Sequence, residues 1–177
     1  MIMKNHKETI KKYFFDFPTA RLRVREIERE LAMPLPSVIR YVKELVDGKI
    51  VVPFTIGKTV FYTAARTERK FVIEKKLHNI KKLYDSGLVE ALVEEYNNSP
   101  IIVFGSYSRG EDGETSDIDI YIESPSKKKI ELGKYEKKLC RPIQLFLFGS
   151  LHSVPNKELA NNIVNGHNLH GFIEVLK

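Results

Sequence analysis

The sequence predicts an α+β fold class in two parts: an N-terminal helical part closed by a hairpin, and a C-terminal mixed sheet with helices. Two observations carry this. In residues 1–66, three stretches with apolar residues at helical spacing precede two β-rich runs, whereas in residues 88–177 helical and strand patterns alternate with no simple βαβ rhythm. Residues 67–87, without Pro and with interleaved lysines and apolar residues, read as a connecting helix. A chain of 177 residues has room for this division, because domains cluster at about 100–150 residues and smaller ones fold alone.

The first helix is predicted over His6 to Phe14, with Ile10, Tyr13 and Phe14 on one side. The second spans Val24 to Ala32 (Val24, Ile27, Leu31) and the third Pro36 to Leu45 (Val38, Val42, Leu45). Pro36 and Ser37 suit a first helical turn, where no intrahelical donor is lost, and Asp47-Gly48 ends the helix. IVVPF and TVFYTA then form a hairpin around the turn residues Thr55 to Lys58.

Composition and charge narrow the function classes. At 42 % hydrophobic and 29 % charged, the chain is globular rather than disordered, and its longest apolar runs fall far short of the ~20 residues that span a bilayer. The start, MIMKNHKETIKKYF, has no continuous apolar core and does not read as a signal peptide, so a cytoplasmic location without membrane partners is expected. The single cysteine, Cys140, excludes an intramolecular disulfide and reads as a small hydrophobe near a helix end. The net charge of +6 resides entirely in residues 1–66, with 13 Lys or Arg against 7 Asp or Glu. A basic small domain joined to a neutral remainder points to a polyanionic partner.

The order helix, helix, turn, helix, hairpin, and within it VREIERELAMPLPSVIRYVKELVDGKIVV, resembles the core of the winged-helix DNA-binding family. The resemblance covers about 60 residues and implies that the third helix enters the major groove of double-stranded DNA. Ser37, Arg40, Tyr41 and Lys43 would then face bases and phosphates, with Lys58 at the hairpin tip reaching a phosphate. Winged helices also serve as protein docking modules, and they often act as homodimers on two-fold sites.

Farther along, Phe71, Ile73, Leu77, Ile80 and Leu83 repeat at helical spacing, the lysines among them forming a solvated face, and Leu88 to Tyr96 resumes the pattern after Ser86-Gly87. Strands are predicted at Ile101–Phe104, Ile118–Ile122 and Pro142–Phe148, a helix around Leu132, Tyr135 and Leu139, another at Leu159–Ile163, and a final strand in LHGFIEVL. On the second strand Asp117, Asp119 and Tyr121 share one face and Ile118, Ile120 and Ile122 the other. The two aspartates are about 7 Å apart along the backbone, so both carboxylates can converge on one hard divalent cation such as magnesium. Gly105-Ser106, ending the first strand, supplies a close backbone approach and a hydroxyl for phosphate, and Arg109 a cation.

FGSYSRGEDGETSDIDIYI is similar to the signature of the DNA polymerase beta-like nucleotidyltransferases, most closely their minimal type. The resemblance runs from Ser99 to the C-terminus, including NIVNGHNLHGFIEV. It implies magnesium-dependent transfer of a nucleoside monophosphate from a nucleoside triphosphate, ATP foremost, to a hydroxyl. Gly105, Ser106, Arg109 and Ser116 would hold the triphosphate; Asp117 and Asp119, as metal ligands and catalytic carboxylates, would hold two cations about 4 Å apart. One departure stands out: the family's third carboxylate is replaced in RPIQLFLF by Gln144, which carries no charge and cannot serve as a base. Glu123, about 13 Å beyond Asp119 on an extended strand, does not replace it. The readings left open are a transferase, a DNA-binding regulator with an inactive transferase domain as nucleotide sensor or dimer contact, and a transferase that modifies a partner protein. FGSLHS reads as a turn, and the five histidines show no metal spacing.

Overall fold

The chain divides into compact units of residues 1–78 and 79–177; one apolar cluster lies in the first and two lie in the second. The computed structural model describes residues 5–126, 128 and 130–175. Within them no helix is long and apolar enough to cross a membrane.

The first unit forms α1 (His6–Asp16), α2 (Val24–Leu31), α3 (Leu35–Asp47), β1 (Val51–Ile56) and β2 (Thr59–Ala64). Caps set the helix starts: the Asn5 side chain accepts from the Glu8 amide, and Glu26 Oε2 accepts from the Arg23 amide at 2.8 Å. Ile10, Phe14 and Phe15 of α1, Ile27 of α2, and Val38, Val42 and Leu45 of α3 close on Val51 and Ala64. The strands run further than TIGK predicts, pairing to Ile56↔Thr59, so the turn shrinks to Gly57-Lys58 with Gly57 at φ +60°. Leu22 exchanges both backbone hydrogen bonds with Tyr62, adding one bridge to the outer side of β2.

Helix α4 (Arg69–Asp85) crosses the division between the units. Phe71 is buried, whereas Ile73 and Leu77 are exposed; Lys70, Lys76 and Lys81 are exposed as predicted, and Lys75 is fully buried against that expectation. At about 100° per residue, Ile73 and Leu77 stand roughly 200° and 240° around the helix from Phe71, too far to share its core.

The second unit comprises α5 (Leu88–Glu95), β3 (Ile101–Phe104), α6 (Gly105–Arg109), β4 (Ile118–Glu123), α7 (Gly133–Leu139), β5 (Ile143–Phe148), α8 (Lys157–Val164) and β6 (His167–His170). The strand order is β5-β4-β3-β6, with β4 and β5 parallel and the other pairs antiparallel. The α+β class holds, yet β4-α7-β5 is a parallel crossover that the sequence pattern did not reveal. One face of the sheet packs Ile101, Val103, Ile118, Ile120 and Ile122 against Leu88, Leu92 and Tyr96. The opposite face carries Ile102, Phe104 and Tyr121 beneath Leu151 and Ile163. The last strand precedes most of LHGFIEVL: Gly171 at φ +73° breaks it and Phe172 is exposed. Leu176 of that stretch lies outside the described residues.

Gly166 joins α8 to β6 where a side chain has no room. A Cβ there would lie 2.5 Å from Ile102 Cγ2 and 2.6 Å from the Val103 carbonyl oxygen. Gly166→Ala is expected to cost about 1–3 kcal/mol by overpacking, read as a lower urea midpoint of the full chain; an unchanged midpoint would contradict this packing.

Candidate active site

Strand β3 is buried along its whole length and stops at Gly105, whose φ of +72° is costly for any residue with a side chain. The antiparallel register with β4 pairs Phe104 with Asp119, so the Asp119 carboxylate lies against the Gly105 backbone. A Cβ at position 105 would overlap Asp119 Oδ2 and stand 3.4 Å from its Cγ. Gly105 is thus required twice, by conformation and by contact. On the other side of β4 the parallel register pairs Asp119 with Gln144, which is exposed and occupies the neighbouring place on the same face.

Asp117, one residue before β4 begins, is exposed, while Asp119 is half-buried beside Phe104, whose ring lies 5.2 Å from that of Phe146. Burial, and secondarily the charge of Asp117, hold the Asp119 carboxyl above the ordinary aspartate range. Neither carboxylate has an ion-pair partner among the described residues. Two such oxygen donors suit one divalent cation whose shell substrate phosphates and water complete. Among the described residues no group of three His, Cys, Asp or Glu could hold a metal ion. The donor set therefore fits an ion shared with substrate, not an all-protein cage.

The remaining predicted residues separate. Ser106 follows Gly105 in α6 and is half-buried. Arg109 is exposed, its Nε donating to Glu111 Oε2 at 2.7 Å. Ser116 Oγ accepts from the Gly113 amide at 2.9 Å and so braces the loop before Asp117. Glu123 is committed at the far end of β4, where its Oε2 accepts from the Tyr121 hydroxyl and the Leu151 amide, both at 3.0 Å. Cys140 ends α7, but exposed and not packed.

Three residues that the sequence did not single out anchor this loop. Asn79 Nδ2 donates to Asp112 Oδ1 at 2.7 Å and to the Tyr107 carbonyl at 2.9 Å, and Arg141 Nη2 stands 3.8 Å from Asp112 Oδ2. All three are buried. Asn79 sits in a lysine-rich helix and Asp112 among exposed acids in the sequence, so neither shows a pattern by which burial could be recognised.

In the first unit, Arg40 and Lys43 are exposed on α3 and Ser37 is half-buried. Tyr41 does not point freely outward: it packs against the core cluster, edge-on to the His6 ring, with the Arg40 guanidinium 4.4 Å from its ring centroid. Its position three residues after buried Val38 and one before Val42 draws it toward the core. Lys58, at the hairpin tip, lines a groove with Arg25 and Arg29 of α2.

The family model described as Nucleotidyltransferase domain matches residues 85–142, a stretch that includes β3, the Gly105 turn, Asp117 and Asp119. Over 49 residues the chain is 49 % identical to a protein of Methanocaldococcus jannaschii described as "Putative protein adenylyltransferase". That stretch covers 28 % of this chain and 56 % of the relative, so the likeness spans about half of the relative's length. No solved structure matches the chain.

Because the folded-state pKa of Asp119 is raised, the stability it contributes is present at low pH and lost as pH rises through that pKa. Asp119→Asn should therefore raise the Tm of the metal-free protein at neutral pH, with the advantage shrinking on acidification. Scanning calorimetry in chelator checks this; a Tm at or below wild type at neutral pH would contradict it.

Proposed function

We propose that the second unit binds a nucleoside triphosphate together with magnesium and transfers its nucleoside monophosphate to a hydroxyl of a macromolecule, in the cytoplasm. The observation that carries this reading is the Asp119 carboxylate set against the Gly105 backbone, with Asp117 exposed beside it and no ion-pair partner for either among the described residues. ATP as donor and a protein hydroxyl as acceptor are the specific choices, supported by the description of the relative as a protein adenylyltransferase.

In this reading Gly105 and Ser106 receive the triphosphate, because β3 ends there at a left-handed glycine and α6 begins beside the Asp119 carboxylate. Asp117 and Asp119 hold the cation, and the buried Asn79, Asp112 and Arg141 fix the loop that presents them. Arg109 reaches phosphate by exchanging its contact with Glu111. Magnesium, when bound, supplies neutralisation of the phosphate oxygens. The acceptor oxygen forms a bond to the α-phosphorus, the bond from that phosphorus to the bridging oxygen breaks, and pyrophosphate leaves with the electron pair. The acceptor proton passes to solvent, since Gln144 beside Asp119 cannot take it.

Gln144 favours a second reading, in which the same nucleotide site is a sensor and the chain a DNA-binding regulator. Both readings share a first unit that binds double-stranded DNA through α3 and the hairpin, supported by three helices and a hairpin in that order and by the basic excess of residues 1–66. Homodimerisation on a two-fold DNA site belongs to this part of the proposal.

Calorimetric titration with ATP should give magnesium-dependent binding that the Asp117→Asn, Asp119→Asn pair abolishes; unchanged metal-dependent affinity in that variant would remove the assigned site. Label transfer from ATP to protein distinguishes the readings. Activity in the wild-type chain supports the enzyme, whereas activity only in Gln144→Asp supports the sensor.

A further inference from the structure

The four-stranded sheet of the second unit has two edges, and the chain treats them differently. At one edge β6 is only 4 residues long and polar (HNLH), and its register against β3 shifts between Ile101 and Ile102. The carbonyl of its Leu169 accepts from the Tyr84 hydroxyl at 2.9 Å. A short, irregular strand engaged in this way is poorly suited to pair with another strand. At the other edge β5 is 6 residues long and reads IQLFLF, and its register against β4 runs from Ile143 to Phe148 without a shift. β5 carries none of the charges, prolines or bulges by which natural sheets blunt an edge.

Alternation along β5 identifies the backbone groups that face outward. The carbonyls of Pro142 and Phe148 accept from the Ile118 and Ser124 amides, on the β4 side. Even-numbered residues therefore turn to β4, and Ile143, Leu145 and Leu147 turn their N–H and C=O groups away from it. The Ile143 amide fits this direction, because it donates to Glu136 Oε1 of α7 at 3.0 Å. Among the described residues no hydrogen bond reaches the outward groups of Leu145 or Leu147.

We propose that β5 is a dimerisation edge, at which two copies of this chain pair antiparallel through Leu145 and Leu147 with the two-fold axis at Phe146. A second copy is the occupant because an uncharged strand meets its own image without like-charge repulsion. The blunted β6 edge then stops the addition at two copies. The contact of Ile143 with Glu136 selects the register, since hydrogen-bonded pairs need outward residues on both strands. An axis at Leu145 would call on the Ile143 amide, which is taken. An axis at Phe146 sets Leu145 against Leu147 of the second copy and uses the free groups of both. Phe146 then faces its counterpart as an aromatic cross-strand pair. Phe148 of the second copy comes to lie opposite Gln144, on the sheet face that carries Asp119. The pairing stands on the sheet edge and needs no DNA; only its consequence for the site rests on the nucleotide reading, which the ATP titration tests separately.

Sedimentation velocity of the full chain over a concentration series should show a monomer–dimer equilibrium. Leu145→Pro removes an outward donor and no bond of the β4 ladder, and should sediment as a monomer with a cooperative melt. Cross-linking in a Cys140→Ser background, which lacks the native thiol, reads the register independently of that variant. Phe146→Cys should form a disulfide between copies under mild oxidation, because the Cα atoms of a non-hydrogen-bonded pair stand about 4.5 Å apart, within disulfide reach. Gln144→Cys is the control: position 144 is the more exposed, yet its counterpart lies about 13 Å along the facing strand, so no disulfide should form. A wild-type chain that stays monomeric at every concentration would overturn self-pairing and leave the edge to a strand of another protein. A dimer that survives Leu145→Pro, or that cross-links through Gln144→Cys and not through Phe146→Cys, would overturn the assigned pairing while leaving the nucleotide site untouched.

Discussion

The register of β4 between β3 and β5 is the constraint on which the candidate site depends. It pairs Asp119 with Phe104 on one side and with Gln144 on the other, and a slip of one residue would turn every side chain to the opposite face. Ile118, Ile120 and Ile122 resist that slip because all three are fully buried. Burial of an isoleucine side chain stabilises by about 1.5–3 kcal/mol, so the three together outweigh the strain of holding one half-buried carboxylate beside another. The apolar face decides where the strand sits, and the carboxylates accept the place they are given.

The unit treats its acids in two ways. Asp112 is buried and fully engaged, with Asn79 donating to one oxygen and Arg141 near the other. Removing either partner would leave a charge in the interior, which is among the costlier changes a fold can suffer. Glu123 is engaged as well, accepting from Tyr121 and from the Leu151 amide. Among the described residues Asp117 and Asp119 have no ion-pair partner, and the burial of Asp119 raises its affinity for a proton.

Much of this was legible in the sequence, for identifiable reasons. The strict alternation of DIDIYI fixed strand, face and core at once, and the IVVPF and TVFYTA runs announced their hairpin. What escaped notice depended on distant pairing. No local pattern marks Lys75 as buried, or Asn79 and Asp112 as partners 33 residues apart. The parallel pairing of β4 with β5 was hidden because α7 is only 7 residues long and too weakly patterned to signal a crossover. At the C-terminus the β-rich run FIEV drew the predicted strand too far, while the actual strand, HNLH, is polar and owes its conformation to pairing with β3.

Gln144 acquires a physical meaning from its neighbours. A third carboxylate at that place would stand directly beside Asp119, itself already burdened by burial and by Asp117. Three like charges at adjacent positions would raise the cost of the metal-free fold and tighten its grip on cations; an amide keeps the oxygen donor and relieves the repulsion. Gln144 thus lowers the local negative charge while leaving Asp117 and Asp119 in place. On the proposed reading, binding of one ion with a triphosphate rests on Asp117, Asp119 and the turn at Gly105. On the proposed reading, Gln144 leaves the acceptor to pass its proton to solvent. On the proposed reading, nucleotide recognition and nucleotide transfer are separable on this sheet, and the separation falls at Gln144.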